Sequence, residues 1–489
     1  MGGGAPQIPG NFASINDESS AVSSHSDKSM FIDPIRHEFE ATQALIDRGQ
    51  IWPHVTPQEV RDHLAARYDF SQAIPLEDLT ADVEEMLRRW QVQITHPRYF
   101  GLFNPSTTLS SVVADALVAT YNPQLAAWRT APAPNEIERH TLGWIAGRFG
   151  LPPQTIATFT SGGAEANLSA VVAALTHFFP NYGDDGLASL TAAPVIYLSA
   201  EAHHSFSKIV HLTGLGRKSL RVIPAGPDLK MDLHVLAQTI HQDRKDGFAP
   251  LMVVGTAGTT AAGVIDSLPE LAQLCRDEAM WFHVDAAWGG AAILAPSLRH
   301  HLAGIEHADS ITCDAHKWFS VSMACGMFFC RHPEAVARAF RATASYMPGS
   351  AGATTFDPYT NSVQWSRRFT GLKLFMTLAE RGESGLAAMI EHQARMGDEL
   401  RESLTSAGWR VVNRTPFPVI CFTRDGLDVP NFLEELQKKQ IAWMSEVRIN
   451  GNSFVRACIT SFKTTENEIH EVARAITHLT SKQGSHAAR

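Results

Sequence analysis

The sequence predicts an α/β protein with a mainly parallel sheet in a large domain, a smaller C-terminal α+β domain and an N-terminal helical arm. Two observations carry this. Between Thr155 and Asp314, short apolar runs alternate with segments of helical spacing. This is the pattern of strands covered on both faces by helices. After Cys330 the chain turns to long helices and then to a second, smaller set of strands. The 489 residues are 44% apolar and 19% charged, ample for a large core and incompatible with wholesale disorder.

Taken in order, Met1–Met30 is rich in Gly, Ser, Asp and Pro with no apolar run. It reads as a tail rather than a secretory signal. Phe31 to about Trp90 is polar and helical, with Thr56-Pro57-Gln58-Glu59 as a helix start. Ser110–Thr120 and Asn135–Phe149 read as helices. The apolar runs Thr155–Thr160, Val195–Leu198, Leu220–Ile223, Leu251–Gly255, Trp281–Ala287 and Ile311–Asp314 read as strands. Gly163–Phe179 and Leu268–Ala279 read as helices between them. Beyond Cys330, Arg367–Glu380 and Leu386–Ala407 are helical, and Trp409–Val412, Val419–Thr423 and Ser453–Ile459 read as strands. A helix from Thr465 closes the chain. The expected division is a tail at 1–30, an arm at 31–105, a large domain at 106–365 and a small domain at 366–489.

A net charge of −9 without a Lys/Arg run speaks against nucleic acid or an anionic membrane as partner. No stretch approaches the length of an apolar membrane span. Six sparse cysteines, none in a CxxC pair, read as reduced core residues of a cytoplasmic protein. No metal-ligand set is assigned.

Parallel sheets gather ligands at the carboxyl ends of their strands, and four features fall there. Phe159-Thr160-Ser161-Gly162-Gly163-Ala164-Glu165 joins a strand to a helix through small residues, and first-turn amides bind phosphate. It lacks the endings of a P-loop and of GxGxxG. Ala202-His203-His204 supplies an imidazole able to stack on a flat ligand. Trp281-Phe282-His283-Val284-Asp285-Ala286-Ala287 ends a strand on a carboxylate, which needs a cationic or hydrogen-bonding partner if buried. Ile311-Thr312-Cys313-Asp314-Ala315-His316-Lys317 ends another on a lysine, a Schiff-base nucleophile when desolvated. Singly, each is compatible with a cap, an ion pair or a surface lysine. Together they suit pyridoxal 5′-phosphate (PLP), with phosphate at the helix start, pyridine nitrogen at the carboxylate and aldehyde at the lysine.

From about His96 onward the chain resembles the group II PLP-dependent amino-acid decarboxylases, which act on aromatic amino acids, glutamate, diaminobutyrate or cysteine sulfinate. The marks are His96-Pro97-Arg98-Tyr99-Phe100, His283-Val284-Asp285-Ala286-Ala287, His316-Lys317-Trp318, Arg367-Arg368-Phe369 and, more weakly, Arg456-Ala457-Cys458-Ile459. The resemblance implies a fold type I PLP-dependent transferase fold and a homodimer with sites at the subunit interface. It implies release of carbon dioxide from an L-amino acid, an aromatic one being the leading expectation. Acidic or diamino acids, transamination and aldehyde formation are the alternatives. It further implies that Lys317 bonds the cofactor aldehyde, that Asp285 holds the pyridine nitrogen protonated, and that Ala287 and His203 lie on opposite ring faces. Gly162, Gly163, Ala164, Asp314 and His316 fall at phosphate positions, and Thr260 near the cofactor. Tyr346, in a loop rich in small residues, is the expected proton donor to Cα. Asp314 stands where the family often has asparagine, and is expected either to orient His316 or to point away from the phosphate. Phe103, Asn104, Gln124 and Trp128 are the substrate-side candidates, with Gln124 and Arg129 able to serve a polar side chain.

Overall fold

The computed structural model describes residues 25–342 and 355–486. Its large sheet has seven strands: β1 (Ile156–Thr160), β2 (Pro194–Ser199), β3 (Leu220–Ile223), β4 (Ala249–Thr256), β5 (Trp281–Asp285), β6 (Ser310–Asp314) and β7 (Gly326–Cys330), in the order β1-β7-β6-β5-β4-β2-β3. All six runs read as strands are strands. The sheet is mainly parallel, as expected from the alternation, with one antiparallel strand inserted. β7 runs antiparallel to both its neighbours, β1 and β6. The return Ala315–Cys325 is too short for the helical crossover that a parallel neighbour requires. In sequence, Gly-Met-Phe-Phe between Cys325 and Cys330 reads only as core.

Both faces of the sheet are covered, which explains the continuous apolar strands. On one face the small side chains of helix Gly163–Phe178 (Ala166, Ala170, Ala174) bring it close to Ile196, Met252, Val254, Trp281 and Phe328. On the other, Val253, Phe282, Val284, Ile311 and Phe329 pack against Leu142 and Ile145 of helix Pro132–Arg148 and Leu271 of helix Leu268–Asp277. The period of two along β5 thus sends Trp281, His283 and Asp285 to one side, and Phe282 and Val284 to the other.

The smaller sheet comprises β8 (Arg410–Val411), β9 (Val419–Thr423), β10 (Ser445–Ile449) and β11 (Asn452–Cys458), ordered β10-β11-β9-β8 and antiparallel throughout. β10 is additional to the expected strands. Its alternating partly buried and exposed residues, Ser-Glu-Val-Arg, carry too little apolar signal. Helices Val429–Lys438 and Glu466–His486 cover this sheet. The two helices expected between 367 and 407 are both present within Gly371–Ser406, separated at Gly382 (φ 65°, ψ 173°). Glycine occupies that backbone region without the penalty a Cβ brings.

At the N-terminal side, helices cover His25–Arg48, Pro57–Arg67 and Leu76–Trp90. Thr56 and Glu59 cap the second reciprocally. The segment around His96 is strapped to the smaller sheet and the residues beside it. Phe100 N–H donates to Trp443 O (2.9 Å), Trp443 N–H to Arg98 O (3.1 Å) and Cys458 N–H to Phe100 O (3.0 Å). All six cysteines are buried and unpaired. Among the described residues no helix is long and apolar enough to cross a membrane.

Candidate active site

The carboxyl ends of β1, β4, β5 and β6 meet at a cavity of about 300 Å³. It is lined by Gly162, Gly163, Ala164, His203, Thr260, Asp285, Ala287, Asp314, His316 and Lys317, so every PLP-site candidate in the described residues comes together there. Tyr346 lies outside the described residues. Phe103 also lines the cavity, but Asn104, Gln124 and Trp128 do not. Asn104 turns its amide to Met323 Sδ (3.0 Å). Gln124 is exposed and donates to Ser366 Oγ (2.9 Å). Trp128 is held by Asp357 through its backbone N–H (2.7 Å) and by Glu136 through its indole N–H (2.9 Å). These local partners keep all three side chains off the cavity wall of this chain.

Lys317 follows β6 in the tight return to β7. Its Nζ lies 2.9 Å from Asp314 Oδ2, and the carboxylate is almost fully buried. The acid in the family's asparagine position is thereby neutralised by the lysine itself, while His316 Nε2 stands 3.8 Å from the same oxygen. His316 Nδ1 accepts from Cys325 N–H (3.1 Å), and burial holds this imidazole below its ordinary pKa. Asp314 Oδ1 is buried with no hydrogen-bond partner among the described residues.

Gly163 opens the helix that follows β1. A Cβ built on it would stand 3.1 Å from Asp314 Oδ2 and 3.2 Å from Ala287 Cβ, so any side chain would fill the cradle. Its absence leaves the first helical turn open to an anion. Asp285, 5% exposed, ends β5 with no salt bridge among the described residues. It accepts instead from Asn167 Nδ2–H (2.9 Å) and from its own Ala287 N–H (3.1 Å). His203 is solvent-exposed on the cavity wall, and its Nδ1 accepts from Ser205 N–H (3.2 Å). An amine, a strand-end carboxylate and a glycine-lined helix start around one cavity are the donor set that PLP needs.

Sequence reasoning missed Ser161, Glu165, Asn167, Thr256, Trp288 and Met323 in the lining. Asn167 had a signal: it is a polar residue within the apolar stripe Ala166, Ala170, Val171. Trp288 stacks on Phe103 (centroids 4.5 Å apart) and on Trp318 (4.9 Å), building an aromatic wall behind Lys317.

Residues 57–424 match the family described as the pyridoxal-dependent decarboxylase conserved domain. The chain belongs to this pyridoxal-dependent decarboxylase family. Among the relatives of this decarboxylase is an aromatic-L-amino-acid decarboxylase of Bacillus atrophaeus, 27% identical over 460 residues (90% of this chain, 93% of the relative). Another is an L-2,4-diaminobutyrate decarboxylase of Acinetobacter baumannii, 31% identical over 332 residues (65% of each). In fold it is similar to Oryza sativa TDC solved with PLP and tryptamine, with a TM-score of 0.87 at 23% identity over 95% of this chain and all of that one. The protein is a PLP-dependent amino-acid decarboxylase. The buried Arg367–Glu138 pair (2.6 Å) shows that one mark of the decarboxylase sequence, Arg367-Arg368-Phe369, is structural.

Proposed function

We propose that this decarboxylase acts on aromatic L-amino acids, as a homodimer. The observation that carries the substrate class is the wall of Phe103 and Trp288 beside Lys317. It gives a flat aromatic side chain aromatic carbon to pack against at the cavity wall. The polar candidate Gln124 is exposed and engaged with Ser366. The homodimer is supported by helices Pro57–Arg67 and Leu76–Trp90, in which the chain itself buries no side chain. Helices that short draw their stability from packing. Six unpaired thiols fit a reducing compartment, and we read it as the cytoplasm.

In this reading Lys317 would hold the cofactor through its aldehyde, with its amine at the cavity where a substrate amine enters. Gly162, Gly163 and Ala164 with His316 would hold its phosphate, and Ala287, His203 and Thr260 would hold its ring. When bound, the cofactor supplies a sink for the electron pair left at Cα as carbon dioxide departs. Asp285, held from two sides, would keep the proton on the pyridine nitrogen that makes the sink effective. Tyr346 would return a proton to Cα.

The test is amine detection from a panel of L-amino acids: tyrosine, tryptophan, phenylalanine, glutamate, 2,4-diaminobutyrate and cysteine sulfinate. Aromatic amines are the expected products. Turnover of diaminobutyrate or an acidic substrate alone would overturn the substrate class. Aldehyde, ammonia and hydrogen peroxide in place of amine would overturn simple decarboxylation.

A further inference from the structure

Behind Asp285 runs a chain of buried hydrogen bonds whose direction is fixed at every link. It crosses three elements. Asp285 and His283 lie on β5, Thr312 and Ser310 on β6, and Asn167 on the helix over them. The register sets His283 beside Ser310 and Asp285 beside Thr312. Asn167, His283, Ser310 and Thr312 are each at most 1% exposed.

An ionised carboxylate only accepts, so the Asn167 atom 2.9 Å from Asp285 Oδ2 is Nδ2, donating. Asn167 Oδ1 then faces Thr312 Oγ1 at 2.6 Å and His283 Nε2 at 3.0 Å, and both must donate to it. His283 therefore carries its proton on Nε2. Its Nδ1 accepts from Ser310 Oγ–H at 2.8 Å, and Ser310 Oγ in turn accepts from Trp281 Nε1–H at 2.8 Å. Every proton in the series points toward Asp285. Burial supports the neutral ring, pushing His283 down to about 4. Asp285 Oδ1 receives Ala287 N–H from the opposite side. Two donors thus hold the carboxylate in one orientation, with lone pairs left for the cavity.

We propose that Asn167 and His283 are positioning residues for Asp285, fixing the carboxylate as an oriented anion against the cofactor's pyridine nitrogen. Asn167 grips the carboxylate, and His283 prevents the Asn167 amide from flipping. A flipped amide would set its oxygen against a carboxylate oxygen, repelling the anion. The inference rests on the assignment of Asp285 to the pyridine nitrogen.

The experiment uses holoenzyme carrying PLP labelled with 15N in the ring. It reads ring-nitrogen protonation by NMR, cofactor affinity, and kcat and KM separately. Asn167→Ala is expected to lower kcat by about ten- to a hundredfold, the worth of one hydrogen bond to a charged group, and to move the ring-nitrogen signal toward the unprotonated position. Cofactor binding weakens while KM changes little. His283→Leu is expected to act in the same direction. His283→Gln, which can keep a donor near Nε2, is expected to restore most of the activity. Unchanged ring protonation and kcat in both Asn167→Ala and His283→Leu would overturn the proposal. Should Asn167→Ala fail to fold, Thr312→Val removes one donor to Asn167 Oδ1 at constant volume. A measurable loss of kcat then supports the proposal, and an unchanged kcat overturns it. Asp285→Asn separates the two claims. If it keeps the wild-type ring signal and rate, the assignment of Asp285 has failed. If it loses both while the Asn167 and His283 variants are silent, only this inference has failed.

Discussion

Lys317 is the residue we propose bonds the cofactor. Its Nζ lies 2.9 Å from Asp314 Oδ2 and 5.8 Å from the Phe103 ring centroid, so charge and aromatic surface both hold it at the cavity. Lys317→Ala is expected to abolish amine formation and the aldimine-region absorbance on adding PLP. Full carbon dioxide release from that variant would refute the role. His96 acts on stability instead. Buried at 5% exposure, it is pushed down to about 4, and its Nδ1 accepts from Arg98 N–H (2.9 Å). The folded value lies below the unfolded one near 6.5. Its contribution is therefore present above pH 6.5 and is lost as pH falls toward 4. Between pH 7.5 and 5 this amounts to about 2 kcal/mol. His96→Asn, which keeps an acceptor for Arg98, is expected to flatten that slope in denaturant titrations at the two pH values.

At the scale of elements, the sequence displayed what burial and period impose and concealed what pairing imposes. The six parallel strands were visible because both faces are apolar. β7 was hidden because a short apolar run after a short loop carries no sign of direction. The lining from Gly162 to Lys317 was legible because each residue sits just after a visible strand. Asn167 showed only as a polar residue in an apolar stripe, and the aromatic stack not at all, because side-chain contact across elements decides their roles. A second concealed contact joins helix Pro132–Arg148 to the start of helix Gly371–Ser406. Arg367 bonds both oxygens of Glu138 (2.9 and 2.6 Å), and Glu138 also accepts from Gly371 N–H. Arg367→Met leaves a buried carboxylate without its cation, and about 3–5 kcal/mol of stability is expected to be lost. Adding Glu138→Gln is expected to recover much of it, because the neutral amide still accepts from Gly371. Urea unfolding of both variants checks this, and equal stability of the single and double variants would contradict it.

For the molecule as a whole, the N-terminal helices carry the expectation of a second subunit. Leu76, Val83 and Leu87 lie at i, i+7 and i+11 on helix Leu76–Trp90 and are 72%, 37% and 51% exposed. An apolar stripe of this kind marks a surface that another element covers. Val83→Asp with Leu87→Asp is expected to sediment at the mass of one chain, and the native protein at twice that mass. A fully active native monomer would refute the dimer.

The antiparallel insertion of β7 has a bearing on how the protein comes to exist. β1 ends at Thr160, and its partner begins only at Gly326, 166 residues later. At a synthesis rate of about 5–20 residues per second, the first strand waits about 8–33 s on the ribosome with no neighbour to pair with. The glycine cradle at its end cannot meet Lys317 before then, so a nascent chain has no cofactor to lean on. An apolar strand left open that long is a target for chaperones and for aggregation. Added PLP should therefore raise the yield of refolding only at its last stage, after β7 has closed the sheet.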